Sequence, residues 1–292
     1  MVFRPRGILD QKAVLRVVRF LDKEEDLADQ PFHRFTDTSK LGALDLNERF
    51  VYRIALHRRR FYMGRPPVKS AFYVRSSTAL HYVKIHAVVT AYSGVLGPYP
   101  FGATGGVVTH LPVSFALENQ TRPTYPGLPG ATPALVAHEI AHQWFGDAVS
   151  VSGWRDIWLN EGFAQFLQTY YLTEVVSGRS MQNWLTDTYA GAADDQGFWE
   201  LAIDDPGPEH VFSGAVYARG SMAVQALRHR IGETAFWTLL RTWVEERRYG
   251  NGSVADFEAL ASSISGQDLT AFFDAWLHAR VVPTKTAANG LL

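Results

Sequence analysis

The sequence predicts an α+β fold that is mostly helical in its second half, and three observations point there. Apolar residues recur at helical spacing in six stretches, 160–176, 181–193, 216–231, 233–248, 254–263 and 269–278, separated by Gly, Pro or Ser signals. Ahead of them lie two short extended segments, 106–110 and 113–118, the second rich in apolar residues. Between the two groups a Pro/Gly-rich loop over 121–132 ends at Thr132-Pro133, an N-cap residue followed by proline at the first helical position. That pair starts a helix expected to run to about Gly146.

The remaining elements follow in chain order. Residues 13–21 are amphipathic and read as one helix, with little else recognisable before residue 70. The acidic run Asp22 to Asp26 and the basic run Arg58-Arg59-Arg60 lie in this part, and a three-residue cluster is too short to define a binding footprint. Residues 78–92 have helical spacing, and Gly97-Pro98-Tyr99-Pro100 stops that helix. A longer loop over 202–214 is broken by Asp205-Pro206-Gly207-Pro208.

Composition bounds the function. The chain has 292 residues, 47% apolar and 20% charged, with a mean hydropathy of -0.09, which suits a soluble globular protein with ample core. Its 28 basic and 29 acidic residues leave a net charge of -1, so no general electrostatic case exists for nucleic acid or an anionic membrane. The balance is uneven, +6 over residues 1–70 and -7 over 71–292. There is no cysteine, which excludes disulfides, thiolate nucleophiles and Cys-ligated zinc, so any metal must be held by His, Asp or Glu. The opening MVFRPRGILDQK lacks the apolar region of a secretory signal, and no apolar run approaches the ~20 residues of a membrane span, so a cytoplasmic setting is expected.

The chemistry begins at His138-Glu139-Ile140-Ala141-His142. Residues four apart on a helix share a face about 6 Å apart along the axis, so both imidazoles can reach one zinc ion. Glu139 lies beside that metal. Glu161, nineteen positions after His142, offers a third ligand, and two His with one Glu leave a fourth zinc position open for water. With 10 His in the chain, an accidental HExxH is expected only about 0.015 times. One zinc per chain is the expected cofactor.

HEIAHQWFGD followed by WRDIWLNEGFAQF resembles the M1 aminopeptidases, zinc gluzincins whose pattern is HExxH, eighteen residues, then Glu. Phe115-Ala116-Leu117-Glu118-Asn119 is similar to the family's GxMEN exopeptidase motif, and Tyr217-Ala218-Arg219-Gly220 to its YxKG segment. The segment GPYPF, residues 97–101, looks like the stretch before the substrate-binding strand. The resemblance covers residues 71–283 and implies a thermolysin-like catalytic domain there, after an atypical segment over 1–70 and before a tail over 284–292. It further implies that Glu139 is the general base, that Tyr217 stabilises the oxyanion with the metal, and that Glu118, with Ala116 and Asn119, binds the free amino end of a peptide substrate. Phe115, Leu117 and Arg219 depart from the family's Gly, Met and Lys. The family places a long β-rich domain before this segment, and residues 1–70 show neither its length nor its strand pattern, so weak activity is expected. Two other functions remain open on sequence alone: the epoxide hydrolysis of one branch of the family, and a zinc-binding fragment without turnover. Asp156 and Asn160 are the nearest polar candidates to orient the imidazoles or to cap helices, whereas Trp144, Phe145, Trp158, Phe163 and Phe166 recur at helical spacing and read as core.

Overall fold

A computed structural model describes residues 2–27, 34–37, 40–45, 70–73, 77–109, 113–127 and 131–292. The chain divides into two compact units, residues 1–83 with 102–104, and residues 84–101 with 105–292. The division falls within a single helix, Ser77–Leu96.

In the first unit Asp10 accepts a hydrogen bond from the Ala13 N–H at 2.7 Å and so caps the helix Gln11–Leu27, which extends the expected 13–21 through the acidic run. Strands Val2–Phe3, Arg34–Asp37 and Ser70–Tyr73 pair in parallel, with Phe35 between Val2 and Ala71. Arg6–Asp10 pairs in parallel with Lys40–Asp45, slipping register between Gly7 and Ile8. The expectation of one helix and little else is thereby corrected: these strands run for two to six residues, too few for apolar alternation to register as a period. The Arg58-Arg59-Arg60 run lies outside the described residues.

The second unit carries the helical half as expected. Thr132 Oγ1 accepts from the Leu135 N–H at 3.1 Å with Pro133 at the first position, and the motif helix runs Pro133–Ala141. It stops short of Gly146. After Ala141 the bonds tighten to three-residue steps, Gln143 N–H to the Ile140 carbonyl and Trp144 N–H to that of Ala141, and Gly146 has φ +134°. A Cβ at Gly146 would stand 3.3 Å from His142 Nδ1, so only glycine fits this turn beside the imidazole. The chain then enters the strand Val149–Val151, which pairs in parallel with Gly250–Gly252; neither strand was expected. Helices follow at Trp158–Tyr170, continued as a π-helix to Val176, then Met181–Ala192, Gln196–Trp199, Gly214–Ile231, Glu233–Glu246, Val254–Ser265 and Thr270–Phe273, the last continued as a π-turn to His278.

The extended segments ahead of the motif helix are shorter than expected. Val107–Val108 pairs with Thr124–Tyr125, inside the Pro/Gly-rich stretch, and Leu117 forms one antiparallel bridge to Thr124. The five aromatics read as core are all buried; the Phe145 and Phe163 rings stack at 4.7 Å, tying the turn after the motif helix to Trp158–Tyr170. Tyr92 donates from its hydroxyl to the Ala137 carbonyl at 3.0 Å, holding the Ser77–Leu96 helix to the motif helix. Residues 284–292 pack on the helices: Trp276 Nε1 donates to the Asn289 carbonyl at 3.0 Å, and Leu291 is buried. Among the described residues no helix is long and apolar enough to cross a membrane.

Candidate active site

Three helices bring the metal ligands and the tyrosine together. The Trp158–Tyr170 and Gly214–Ile231 helices meet backbone to backbone, since a Cβ on Gly162 would stand 3.0 Å from the Gly220 Cα and one on Gly220 2.9 Å from the Gly162 Cα. Each glycine lies within one turn of a functional side chain, Glu161 on one helix and Tyr217 on the other. Close approach therefore places Tyr217 beside the cluster, where the Glu161 charge acts on its hydroxyl.

Glu161 Oε2 lies 3.2 Å from His138 Nε2 and 3.3 Å from His142 Nε2, and the three donor atoms all lie within 4.8 Å of one another. Donors about 2.0–2.1 Å from a shared ion at the tetrahedral angle stand about 3.3 Å apart, so the two imidazole–carboxylate distances are those of zinc ligands. All three residues are buried. His142 Nδ1 faces the Phe145 carbonyl at 3.1 Å, a contact that directs Nε2 toward the cluster. The site thus fits zinc in donor type, spacing and orientation.

Charge in the cluster is strongly coupled. Burial alone would raise the Glu161 carboxyl, but hydrogen bonds from His138 and His142 and their charges hold it far below the usual carboxylate range. Burial would lower His142, and bonding to Glu161 with the charges of Glu161, Glu139 and Glu118 outweighs it, lifting the imidazole to about 10. His138 goes the other way, lowered chiefly by burial. Burial pushes the Glu139 carboxyl up to about 8, with Glu118, Glu161 and Asp147 adding and His142 opposing. Burial, then the Glu161 charge and hydrogen bond, raises the Tyr217 hydroxyl, which stays protonated and able to donate. Its ring stacks on that of His138 at 6.0 Å.

Glu118 comes from the strand side, where its backbone carbonyl accepts the side-chain amide of Gln143, the residue after His142, at 3.1 Å. Its charge acts on His138, Glu139, His142, Asp147 and Tyr217. Ala116 packs half-buried against the core, and Asn119 is exposed, its carbonyl accepting the Arg122 N–H at 3.0 Å in a turn. Phe115 and Leu117, where the resembled motif has Gly and Met, are both exposed. Asp156 orients no imidazole: its carboxylate accepts the Val254 N–H at 2.9 Å and helps start the Val254–Ser265 helix. Asn160 stands beside Gly146, its Nδ2 3.4 Å from where a Cβ there would be.

Two residues with structural roles escape a motif-based reading. Gln143, next to His142, has its side chain bound at both ends by distant segments. Arg219 is fully buried and donates to the carbonyls of Trp276 at 2.8 Å, Trp199 at 3.0 Å, Leu201 at 2.8 Å, Ala275 at 3.4 Å and Ala279 at 2.6 Å. Five donors in a planar fork serve that purpose, and a lysine ammonium has three. The signal for Gln143 was its position directly after the motif, but its partners are set by tertiary contacts alone.

Comparison with known proteins agrees with this geometry. The family description "Peptidase family M1 domain" matches residues 106–276. The chain is similar to aminopeptidase N of Lactococcus lactis subsp. lactis, 31% identical over 163 residues, covering 52% of this chain and 19% of the relative. It is also similar to aminopeptidase N of Streptomyces lividans, 28% identical over 160 residues, covering 49% and 18%. Among solved structures, the M1 zinc metallopeptidase of Deinococcus radiodurans superimposes with a TM-score of 0.62 at 27% identity, covering 69% of this chain and 45% of that one. A variant of a Deinococcus radiodurans M1 zinc metallopeptidase bound to a Tyr-Ser-Ala substrate gives 0.61 at 27%, covering 68% and 44%. The chain thus spans under a fifth of the length of these curated relatives and under half of these structural neighbours.

Proposed function

The chain belongs to peptidase family M1, and from that premise we propose that it is a zinc-dependent aminopeptidase, hydrolysing the first peptide bond of substrates that carry a free amino end. The observation that carries the reading is the buried His138, His142 and Glu161 set at zinc-ligand spacing, together with the bond from Gln143, the residue after His142, to the segment that carries the Glu118 carboxylate. An exopeptidase needs such a carboxylate, because only a terminal residue presents an α-ammonium near the scissile bond. The similar metallopeptidase bound to Tyr-Ser-Ala supports peptide as the substrate class.

His138, His142 and Glu161 would hold the zinc, which when bound supplies a charge that acidifies water and polarises a carbonyl. Glu118 pairs with the substrate ammonium and fixes which bond lies at the centre. Glu139 takes the proton of the attacking water on its carboxylate and returns it to the leaving amine nitrogen. The Tyr217 hydroxyl donates a hydrogen bond to the oxygen that gains charge in the transition state. Ala116 and Asn119 border the amino-end site in this reading, and a cytoplasmic setting accompanies it.

The test is zinc content measured together with hydrolysis of alanyl and leucyl arylamides and of their N-acetylated forms. Stoichiometric zinc with cleavage of the free-amine forms alone is expected. Equal rates on acetylated and free substrates would overturn the exopeptidase assignment.

A further inference from the structure

Gln143 directly follows His142 and is fully buried. A side-chain amide offers two donors and two acceptor positions, and here all four are used. Oε1 accepts the Thr121 backbone N–H at 2.7 Å and the Tyr99 hydroxyl at 2.9 Å. Nε2 donates to the Glu118 backbone carbonyl at 3.1 Å and to the Asp147 carboxylate at 2.6 Å. A flipped amide would set N–H against N–H at Thr121 and oxygen against oxygen at Glu118, so the partners fix its orientation.

Two of the four partners are main-chain groups, one just before and one within the Asn119–Arg122 turn, in which Thr121 has φ +68°. A β-branched residue enters that region only where its surroundings hold it. The bond from its N–H to Gln143 is such a hold. Among the described residues, the rest of the Glu118 segment is held by the two backbone bonds between Leu117 and Thr124 and by Ala116 half-buried against the core, whereas the side chains of Phe115 and Leu117 are exposed. At the other end the amide is rooted one residue beyond a metal ligand, and the Asp147 N–H bonds back to the His142 carbonyl at 2.9 Å. One side chain, fixed at both ends, therefore links the Glu118 backbone to the residue after His142.

We propose that Gln143 is a positioning residue that sets the spacing between the Glu118 carboxylate and the metal ligands, and so confines the enzyme to α-amino substrates whose amine and scissile carbonyl are separated by one carbon. This inference rests on Glu118 being the amine anchor. A rigid anchor rejects a β-aminoacyl substrate, whose amine lies one methylene farther away, because ammonium and carbonyl cannot both be in place. A loosened anchor accepts both and binds each less well.

The experiment measures kcat and KM for L-alanyl and β-alanyl arylamides on the zinc-loaded chain, with zinc content and Tm, in wild type, Gln143→Glu and Tyr99→Phe. Calorimetric Kd values of L-alaninamide and β-alaninamide are measured on the zinc-loaded chain carrying Glu139→Gln, with and without the Gln143 or Tyr99 substitution, so that binding is read without turnover. Gln143→Glu keeps both acceptor contacts but turns an oxygen toward Glu118 and Asp147. It should retain zinc, lower the α-over-β preference at least tenfold, and raise KM more than it lowers kcat, with the same loss of preference in the Kd ratio. Adding Asp147→Asn, which returns one donor to the pair, should recover part of it. Tyr99→Phe removes one of the four bonds, preserves the ring, and should lower the preference two- to threefold even if Gln143→Glu does not fold. An unchanged preference in folded, zinc-loaded Gln143→Glu, or in Tyr99→Phe where Gln143→Glu does not fold, overturns the inference. Glu118→Gln separates the two levels: if it leaves the preference unchanged, the anchor reading itself fails, whereas a loss there without one at Gln143 removes only the positioning role.

Discussion

On the metal side of the site, Glu161 and Tyr217 stand on helices of 13 and 18 residues that touch backbone to backbone at Gly162 and Gly220. On the substrate side, Glu118 stands next to a single antiparallel bridge, flanked by exposed Phe115 and Leu117 and held from behind by Gln143. The first arrangement buries aromatic rings and leaves no room for a Cβ where the helices touch. The second hangs on a few directional contacts. Chemistry that must act on one fixed water is placed on the stiff side, and recognition, which must admit different first residues, on the lightly tethered one.

Breaking the stiff side should give the largest effects. His142→Ala should strip the metal and abolish turnover, read by elemental analysis and arylamide hydrolysis; stoichiometric zinc retained in that variant would sink the ligand assignment. Glu139→Gln preserves shape and ligands but removes the base, so kcat should fall ~10²–10⁴-fold with zinc unchanged. A kcat near that of the wild type would show that another group moves the proton. Tyr217→Phe should lower kcat ~10²–10³-fold with little change in KM, since its contact is made in the transition state.

The substrate side should respond through KM. Glu118→Gln removes one charge of an ammonium–carboxylate pair, and charge-assisted bonds contribute roughly 1.5–3 kcal/mol, so KM for free-amine substrates should rise about 10- to 100-fold with kcat less affected. A fall confined to kcat would place Glu118 in the chemistry rather than in binding and erase the contrast between the two sides.

The metal side was also the side legible in the sequence. His138 and His142, with Glu139 between them, follow from spacing because a helix fixes where residues four apart point, Glu161 from its place nineteen residues on as a third ligand type, and Tyr217 from resemblance. Thr132-Pro133 marked the motif helix by cap chemistry alone. What escaped was non-local. The Val149–Val151 and Gly250–Gly252 strands define each other across a hundred residues, and Gln143 gains its meaning from Tyr99, Glu118 and Thr121. The overlong motif helix has a different cause: by sequence Gly146 marks the stop, whereas the turn it permits beside His142 starts several residues earlier.

Between these extremes lies the helix contact itself. Gly220→Ala would drive a methyl group into the Gly162 Cα, and overpacking of this kind costs typically about 1–3 kcal/mol. Tm should fall, and the displaced Tyr217 should lower kcat beyond what the loss of folded protein explains. A variant with unchanged Tm and kcat would show that the two helices can separate freely, and the stiffness attributed to this side would be lost.

The smallest expected effect lies away from the centre, where His278 stands between two carboxylates, its Nδ1 2.8 Å from Asp204 and its Nε2 3.0 Å from Glu258. Burial would lower its pKa, but the Asp204 hydrogen bond and charge, with Glu258 and Asp274, raise it above the ordinary imidazole value. A raised pKa in the folded state means that stability is fully present below about 6.5 and is lost as pH climbs through the raised value. Glu258 works in the same direction: burial lifts its carboxyl more than His278 brings it down, so its ionisation as pH rises also costs stability. The Nε2 contact is close but not aligned as a hydrogen bond, and the side chains are partly exposed, so the gain is under about 1 kcal/mol. Tm should therefore be a few degrees higher, relative to His278→Gln, at pH 6 than at pH 8.5. Because this corner links the 202–214 loop to the Val254–Ser265 helix and holds no metal ligand, zinc affinity should not follow it. A difference between wild type and variant that is equal at both pH values would show that His278 contributes by packing and not by charge.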